Sequence, residues 1–195
     1  GWFAGTGAPF AMEVCTRTKA DRKGGHLAIR REDGRLVLRE VAQTPAEDME
    51  HFTDETRHRW FSTNTLWWDL VQLRAVLRER EGVLGLPLIR NKKNVDPTDP
   101  DSPAVYQIET AMGAALEVFD GATAIGVGRD RFLPVKTTND LLLLRSDAYH
   151  VGEDGAVTLV AEQPCLVDLA KPHYGQLDAF EQRFPAGAPS LRHAR

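Results

Sequence analysis

The sequence predicts an α/β fold: a mixed β-sheet flanked by helices. Short apolar runs of strand length alternate along the chain with apolar residues at helical spacing, so strands and helices interleave. Asp33-Gly34 lies between two strand-like runs, residues 27–31 and 35–41, which marks a hairpin and therefore an antiparallel pair within the sheet. A chain of 195 residues is long enough to bury the core of one sizeable domain, or most of one.

The elements follow in order. Residues 10–15 are apolar and read as a buried strand, and residues 16–25 form a polar, charged loop ending in Gly24-Gly25. In the second hairpin strand Leu36, Leu38 and Glu40 share one face, so a carboxylate continues an apolar row. Either the sheet ends there and Glu40 is solvated, or the carboxylate is held for a purpose. Thr44-Pro45 followed by Glu47 and Asp48 reads as an N-cap, a proline at the first helical position and acidic first-turn residues, opening a short helix to about Phe52. Residues 59–63 form a short strand. Leu66, Leu70, Leu73 and Leu77 step along one helix face to about Arg80, with Trp67 and Trp68 at its start as packing residues rather than sugar platforms.

A short buried strand is expected at 86–89, and the Asp-, Pro- and Ser-rich stretch 96–103 is an exposed loop. Ile108, Met112, Ala115, Leu116 and Phe119 give a second amphipathic helix, whose small residues Ala111, Gly113 and Ala114 permit close approach. A strand at 122–127, a helix at 139–149, a strand at 157–160 and a helix at 174–184 complete the pattern, before a Pro- and Gly-containing tail.

Composition excludes several classes. Net charge is −4, with no basic block, so neither nucleic acid nor an anionic membrane is expected as a partner. The longest purely apolar stretch, about residues 141–144, is far short of the roughly 20 residues of a membrane helix. No signal peptide is visible, and Cys15 and Cys165 lack a CxxC or histidine neighbourhood, so they read as reduced thiols of a cytoplasmic protein. The histidines are dispersed without metal-ligand spacing, and no P-loop, G-x-G-x-x-G or nucleophile elbow occurs.

The run with the clearest chemistry is Arg131-Phe132-Leu133-Pro134-Val135-Lys136-Thr137-Thr138-Asn139-Asp140. It sets one lysine between a rigid Pro-Val step and a helix start supplied with capping side chains. A cation fixed beside backbone donors suits a phosphate, although a surface lysine ahead of a helix has the same spacing.

Four further runs precede it in the chain: Thr18-Lys19-Ala20-Asp21-Arg22-Lys23-Gly24-Gly25, Glu40-Val41-Ala42-Gln43-Thr44-Pro45, Phe61-Ser62-Thr63-Asn64-Thr65-Leu66-Trp67 and Gln107-Ile108-Glu109-Thr110-Ala111-Met112-Gly113-Ala114-Ala115. Together these motifs, from about Pro9 to about Tyr149, resemble the UTP–glucose-1-phosphate uridylyltransferases (UDP-glucose pyrophosphorylases) of eukaryotes and some actinobacteria. The resemblance implies a Rossmann-like, GT-A-like nucleotidyltransferase domain. Residues 1–184 would be its C-terminal, sugar-binding part, and 185–195 would lead toward a further C-terminal domain. The glycine-rich nucleotide-binding loop and the left-handed β-helix of such enzymes are absent from this sequence, so the segment alone is expected to be inactive.

The same resemblance implies the substrates UTP and glucose-1-phosphate, the product pyrophosphate, and Mg²⁺ as cofactor, held mainly by phosphate oxygens and by residues outside this segment. It assigns phosphate contact to Lys136, and the sugar hydroxyls to Glu40 and to Asn64 or Thr65. The family's usual Phe-Asn-Thr-Asn-Asn-Leu-Trp has Ser62 and Thr65 here in place of asparagines, which bears on sugar identity. Asn64 also reads as a simple helix cap. Lys23, with Lys19 and Asp21, lies in a loop that either closes over substrate or is an ordinary solvated turn. Lys93 matches a family lysine, yet Lys92-Lys93 is equally a solvated charge run. Two rivals follow: a pyrophosphorylase for another sugar-1-phosphate, such as galactose or N-acetylglucosamine, and a non-catalytic homologue serving as a binding module.

Overall fold

The computed structural model describes residues 1–18, 21, 24–163 and 165–194. The chain divides into two compact units, Gly1–Arg129 and Asp130–Arg195. The first unit runs α1 (Trp2–Thr6), β1 (Phe10–Thr16), β2 (His26–Ile29), β3 (Leu36–Arg39), α2 (Met49–Thr53), β4 (Trp60–Trp68), α3 (Leu70–Glu79), β5 (Leu88–Asn94), β6 (Ala104–Thr110) and β7 (Thr123–Gly126). Five of these strands form a sheet in the order β3-β2-β4-β1-β7, while β5 and β6 pair in a separate two-stranded sheet. β1 is parallel to β7 and antiparallel to β4, so the sheet is mixed as expected.

The reason β1 sits centrally is its composition. Phe10, Met12 and Val14 point to one face and, with Leu38, Ala115, Leu116 and Phe119, make the core cluster. Leu73 and Val76 of α3 pack on that cluster as partly buried neighbours. Phe10 and Met12 are fully buried, and each such side chain contributes about 1.5–3 kcal/mol by its removal from water. Small residues do permit close approach: Leu38 Cδ2 lies 2.1 Å from where a Cβ on Gly113 would stand.

The β2–β3 hairpin forms where Asp33-Gly34 marks it, pairing Ile29 with Leu36 and His26 with Arg39. The turn is wider than the two-residue form that the dipeptide suggests. Arg30 N–H donates to Arg35 O at 2.9 Å across it, and only Gly34 takes a positive φ, of 70°.

Several sequence expectations are corrected here. Leu66, Trp67 and Trp68 do not start a helix: β4 continues through Trp68, with Met12 opposite Leu66 and Phe10 opposite Trp68. The helix begins at Leu70, because Asp69 Oδ1 caps it by accepting Val71 N–H at 2.9 Å and Gln72 N–H at 3.1 Å. Leu66 satisfies the helical step by coincidence, whereas the pairing of β4 with β1 decides the conformation. Likewise Ile108 belongs to β6, and the run after it is a 3₁₀ helix, Met112–Glu117, that carries Ala115 and Leu116 into the core. The strand expected at 86–89 is displaced to β5 and lies exposed, so it does not extend the main sheet. The short helix after Pro45 is present in two pieces, a 3₁₀ turn Ala46–Asp48 and then α2. Thr44 does not cap it, since its hydroxyl donates to Glu40 O at 2.8 Å instead.

The second unit contains α4 (Thr138–Arg145), the hairpin of β8 (Tyr149–Val151) and β9 (Val157–Leu159), α5 (Lys171–Tyr174) and α6 (Leu177–Arg183). Its buried residues include Phe180, Leu142 and Ala148, and Arg145 pairs with Glu181 at 2.5 Å. The expected helix at 139–149 stops at Arg145, where Ser146 turns extended and Tyr149 enters β8. Among the described residues no helix is long and apolar enough to cross a membrane. Cys15 and Cys165 are free thiols, Cys15 packed within β1.

Candidate functional site

The end of β3 places Glu40 directly against the backbone of Gly25. A Cβ on Gly25 would stand 2.6 Å from Glu40 Oε1 and 2.8 Å from Cδ, so the position admits only glycine while the carboxylate keeps its place. Gly24-Gly25 is thus a seat for two side chains, since the Phe61 ring occupies the corresponding space beside Gly24. Gly25 O in turn accepts Ser62 N–H at 2.9 Å, and Ser62 Oγ accepts Asn64 N–H at 3.1 Å. Glu40 and Asn64 are therefore linked through Gly25 and Ser62.

Asn64 is not in a loop before a helix. It lies in a bulge inside β4, where the register jumps from Met12–Leu66 to Val14–Ser62, leaving Glu13 alone opposite residues 63–65. Bulges of this kind re-aim side chains. Asn64 adopts φ 61°, one of only two positive values among the described non-glycine residues. Asparagine tolerates that region better than most residues, so the backbone alone accounts for part of its presence. Asn64 and Thr65 are exposed at the bulge. The two reasons for an asparagine separate by substitution. Asn64→Gly keeps the left-handed backbone and removes the amide, whereas Asn64→Ala removes the amide and adds backbone strain. Unfolding measurements should place the Ala variant about 1 kcal/mol below the Gly variant, while both lose the same affinity if the amide binds sugar.

The loop before the glycines is anchored by Asp21, which is buried. Asp21 Oδ2 accepts from Thr18 N at 2.9 Å and Thr18 Oγ1 at 2.7 Å and pairs with Arg129 at 2.9 Å. That is no solvated turn at Asp21; Lys19 and Lys23 lie outside the described residues. The same Arg129 approaches Cys15 Sγ at 3.4 Å, yet burial still pushes the Cys15 thiol up, so this is no activated nucleophile.

Behind the loop is a buried polar cluster that no local pattern in the sequence shows. Arg17 donates to Phe52 O at 2.7 Å and lies 3.3 Å from His26 Nδ1. His26 is fully buried, stacks on His58 with centroids 4.0 Å apart, and leaves Nε2 without a hydrogen-bond partner. Burial, then His58, Arg17 and Arg39, push its pKa down to about 3 from 6.5. A depressed imidazole is neutral when folded and takes up a proton on unfolding. Its contribution to stability is complete above pH 6.5 and is lost as pH falls from there toward 3. Urea midpoints measured across that window should fall with acid by about 1.4 kcal/mol per unit at most, and His26→Leu should flatten the slope.

Lys136 lies just ahead of α4. Asp140 Oδ2 accepts its backbone N–H at 3.0 Å, Thr137 N–H at 2.8 Å and Thr137 Oγ1–H at 3.0 Å. The capping expected from Thr137 to Asp140 is present, and it fixes the main chain on which Lys136 stands. It also occupies the backbone donors nearest the lysine, so a ligand there meets the exposed ammonium rather than those amides. Lys93 stands in β5, exposed, with its ammonium on Gln107 Oε1 across the hairpin. The structure does not gather it with Glu40 and Asn64.

Among the described residues the single pair His26–Phe61 joins β2 to β4, and a cleft of ≈ 1370 Å³ has Glu40, Arg39, Gln43 and His58 in its lining. Among the described residues no group of three His, Cys, Asp or Glu could hold a metal ion. The feature that sequence reading missed is Glu13, a carboxylate 4% exposed in the middle of β1 that accepts Trp67 Nε1–H at 3.1 Å. Its signal was present, as a lone acid in the apolar run 10–15.

Comparison with known proteins gives a consistent picture. The family model for UTP--glucose-1-phosphate uridylyltransferase matches residues 1–195. A UTP--glucose-1-phosphate uridylyltransferase of Saccharomyces cerevisiae is 40% identical over 183 residues, covering 92% of this chain and 35% of the yeast protein. That of Astragalus penduliflorus is 45% identical over 149 residues, or 76% of this chain and 29% of the plant protein. The crystal structure of a UDP-glucose phosphorylase from Trypanosoma brucei superposes with TM-score 0.89 at 47% identity, covering 98% of this chain and 43% of that one. A variant UDP-glucose pyrophosphorylase from Leishmania major, in complex with UDP-glucose, superposes with TM-score 0.83 at 46% identity over 98% of this chain and 43% of that one. The chain therefore spans from 29% to 43% of the length of these relatives.

Proposed function

The chain belongs to the UTP–glucose-1-phosphate uridylyltransferase family, and from that premise we propose that it is the sugar-binding part of a longer enzyme that makes UDP-glucose and pyrophosphate from UTP and glucose-1-phosphate. The observation that carries this reading is the match, at 46% identity over 98% of the chain, to a structure that holds UDP-glucose.

The chemistry asks little of a protein nucleophile. A phosphate oxygen of the sugar phosphate attacks the α-phosphorus of UTP, one P–O bond forms, and the bond to the β-phosphate oxygen breaks to release pyrophosphate. The work is to align two anions and offset their charge. Lys136 supplies a fixed cation for a phosphate. Glu40 accepts hydrogen bonds from sugar hydroxyls, and the bulge presents Asn64 and Thr65 to the same sugar. Lys23 and Lys93 enter this reading only through the family pattern. Among the described residues no group of His, Cys, Asp or Glu could hold a metal ion, and in this reading Mg²⁺ would be held by phosphate oxygens and by groups outside these residues. Residues 1–184 belong to the catalytic domain in this reading and 185–195 to the connection beyond it. Two free thiols suit a cytoplasmic setting.

One observation favours keeping a second sugar in view. Ser62 Oγ is already taken up by Asn64 N–H, and Thr65 offers one hydroxyl where the family has an amide. The test is product formation by the full-length polypeptide with a panel of sugar 1-phosphates. UDP-glucose as the preferred product supports the reading. Preference for galactose or N-acetylglucosamine 1-phosphate replaces the substrate, and no nucleotide-sugar product with any of them overturns the enzyme reading.

A further inference from the structure

We propose that Glu13 is a positioning residue for the sugar-binding face, holding the two ends of the 63–65 bulge so that Asn64 and Thr65 are presented at a fixed place. This rests on the uridylyl-transfer reading above.

Glu13 lies between two strands, paired with Ile125 on one side and facing the bulge on the other. Its neighbours on the same strand face, Ala11 and Cys15, are apolar and fully buried. A carboxylate in such a place gives up hydration and depends on hydrogen-bond donors supplied by the protein. The contacts of Glu13 identify what it does. Its main-chain oxygen accepts Thr63 Oγ1–H at 3.1 Å, at one end of the bulge, and its side-chain Oε1 accepts Trp67 Nε1–H at 3.1 Å, just past the other end. Between these clamps the amides of the inserted residues bond locally, Asn64 N–H to Ser62 Oγ at 3.1 Å and Thr65 N–H to Thr63 Oγ1 at 3.4 Å. Asn64 is also held at a positive φ, a conformation that persists only when its surroundings over-determine it. Trp67 is otherwise steadied by Phe3, with ring centroids 5.9 Å apart, and is exposed, so the Glu13 bond is what fixes its indole.

The test uses the full-length enzyme. Glu13→Met keeps the volume and removes the acceptor; Trp67→Phe keeps a ring against Phe3 and removes the donor; Glu13→Gln keeps an acceptor oxygen. Steady-state kinetics should show the KM for glucose-1-phosphate raised about tenfold in Glu13→Met and in Trp67→Phe, with the KM for UTP within about twofold of wild type and Glu13→Gln within about threefold for both. The double variant Glu13→Met/Trp67→Phe should be no worse than either single one, since both break one bond. Folded Glu13→Met or Trp67→Phe enzyme with an unchanged KM for glucose-1-phosphate overturns the inference. So does a rise in both KM values together, or a fall in melting temperature alone, because a merely structural carboxylate would give that. If Glu13→Met does not fold, Trp67→Phe and Glu13→Gln decide by the same split. Wild-type enzyme without UDP-glucose formation overturns the functional reading itself, and the inference with it.

Discussion

Lys136→Ala should lower the turnover of UDP-glucose synthesis by the full-length enzyme about 10²–10³-fold, the loss associated with removing one preorganised group that stabilises transition-state charge. The argument for so large an effect is local. Asp140 holds the main chain of Lys136 and Thr137 through hydrogen bonds of 2.8–3.0 Å, so the ammonium is carried on a constrained stem rather than a wandering loop. Among the described residues no ion pair engages that ammonium, and the lysine is exposed just ahead of α4. Lys136→Arg should recover only part of the loss, because a planar fork cannot reproduce a point charge at the same place. Asp140→Ala, which leaves the charge and loosens its base, should fall between wild type and Lys136→Ala. Single-turnover rates with saturating UTP and glucose-1-phosphate measure this directly. Wild-type turnover in Lys136→Ala would remove the residue from the chemistry, and the exposed lysine ahead of a helix would be an ordinary surface charge.

What the sequence made legible is what local pattern controls. The apolar run at β1, the Asp33-Gly34 hairpin, β7 and the Thr137–Asp140 capping are set by residues a few positions apart, and all are found where they are expected. The failures share a cause. Leu66, Leu70, Leu73 and Leu77 step like a helix, but Leu66 and Trp68 are claimed by β1, a strand more than fifty residues away in the chain. Ile108 fits the helical spacing to Met112 and yet pairs with Arg90 in a hairpin. The bulge leaves no trace in composition, since Thr63, Asn64 and Thr65 suit a strand as well as a loop. The partners of His26 come from Arg17, Phe52 and His58, brought together only by the fold. Glu40 and Asn64 entered the candidate site through the family pattern, while the chain of contacts that joins them through Gly25 and Ser62 has no local signature in the sequence.

That chain supports the second large effect. Gly25→Ala should raise the KM for glucose-1-phosphate and lower kcat/KM about 10–100-fold, close to the effect of Glu40→Gln, although it leaves every charged group of the site in the sequence. A methyl group on Gly25 would fall 2.6 Å from Glu40 Oε1, 2.8 Å from Cδ and 2.9 Å from Oε2. Such distances cannot persist, and the atoms in the way are the far end of the flexible Glu40 side chain rather than backbone. Gly25 itself is tied to β4 by Ser62 N–H at 2.9 Å. The carboxylate therefore swings away while the backbone stays, which separates its position from its chemistry. Thermal unfolding should change little in Gly25→Ala, because the displaced group is half-buried and can reach water, and the KM for UTP should stay near wild type. Kinetics that are normal in Gly25→Ala but impaired in Glu40→Gln would mean that the charge acts from more than one place. Impairment of both substrates together in Gly25→Ala would mean that the loop, and not the carboxylate, had moved. A selective loss for the sugar phosphate in both variants fixes Glu40 as a group whose position against one glycine decides how the sugar is held.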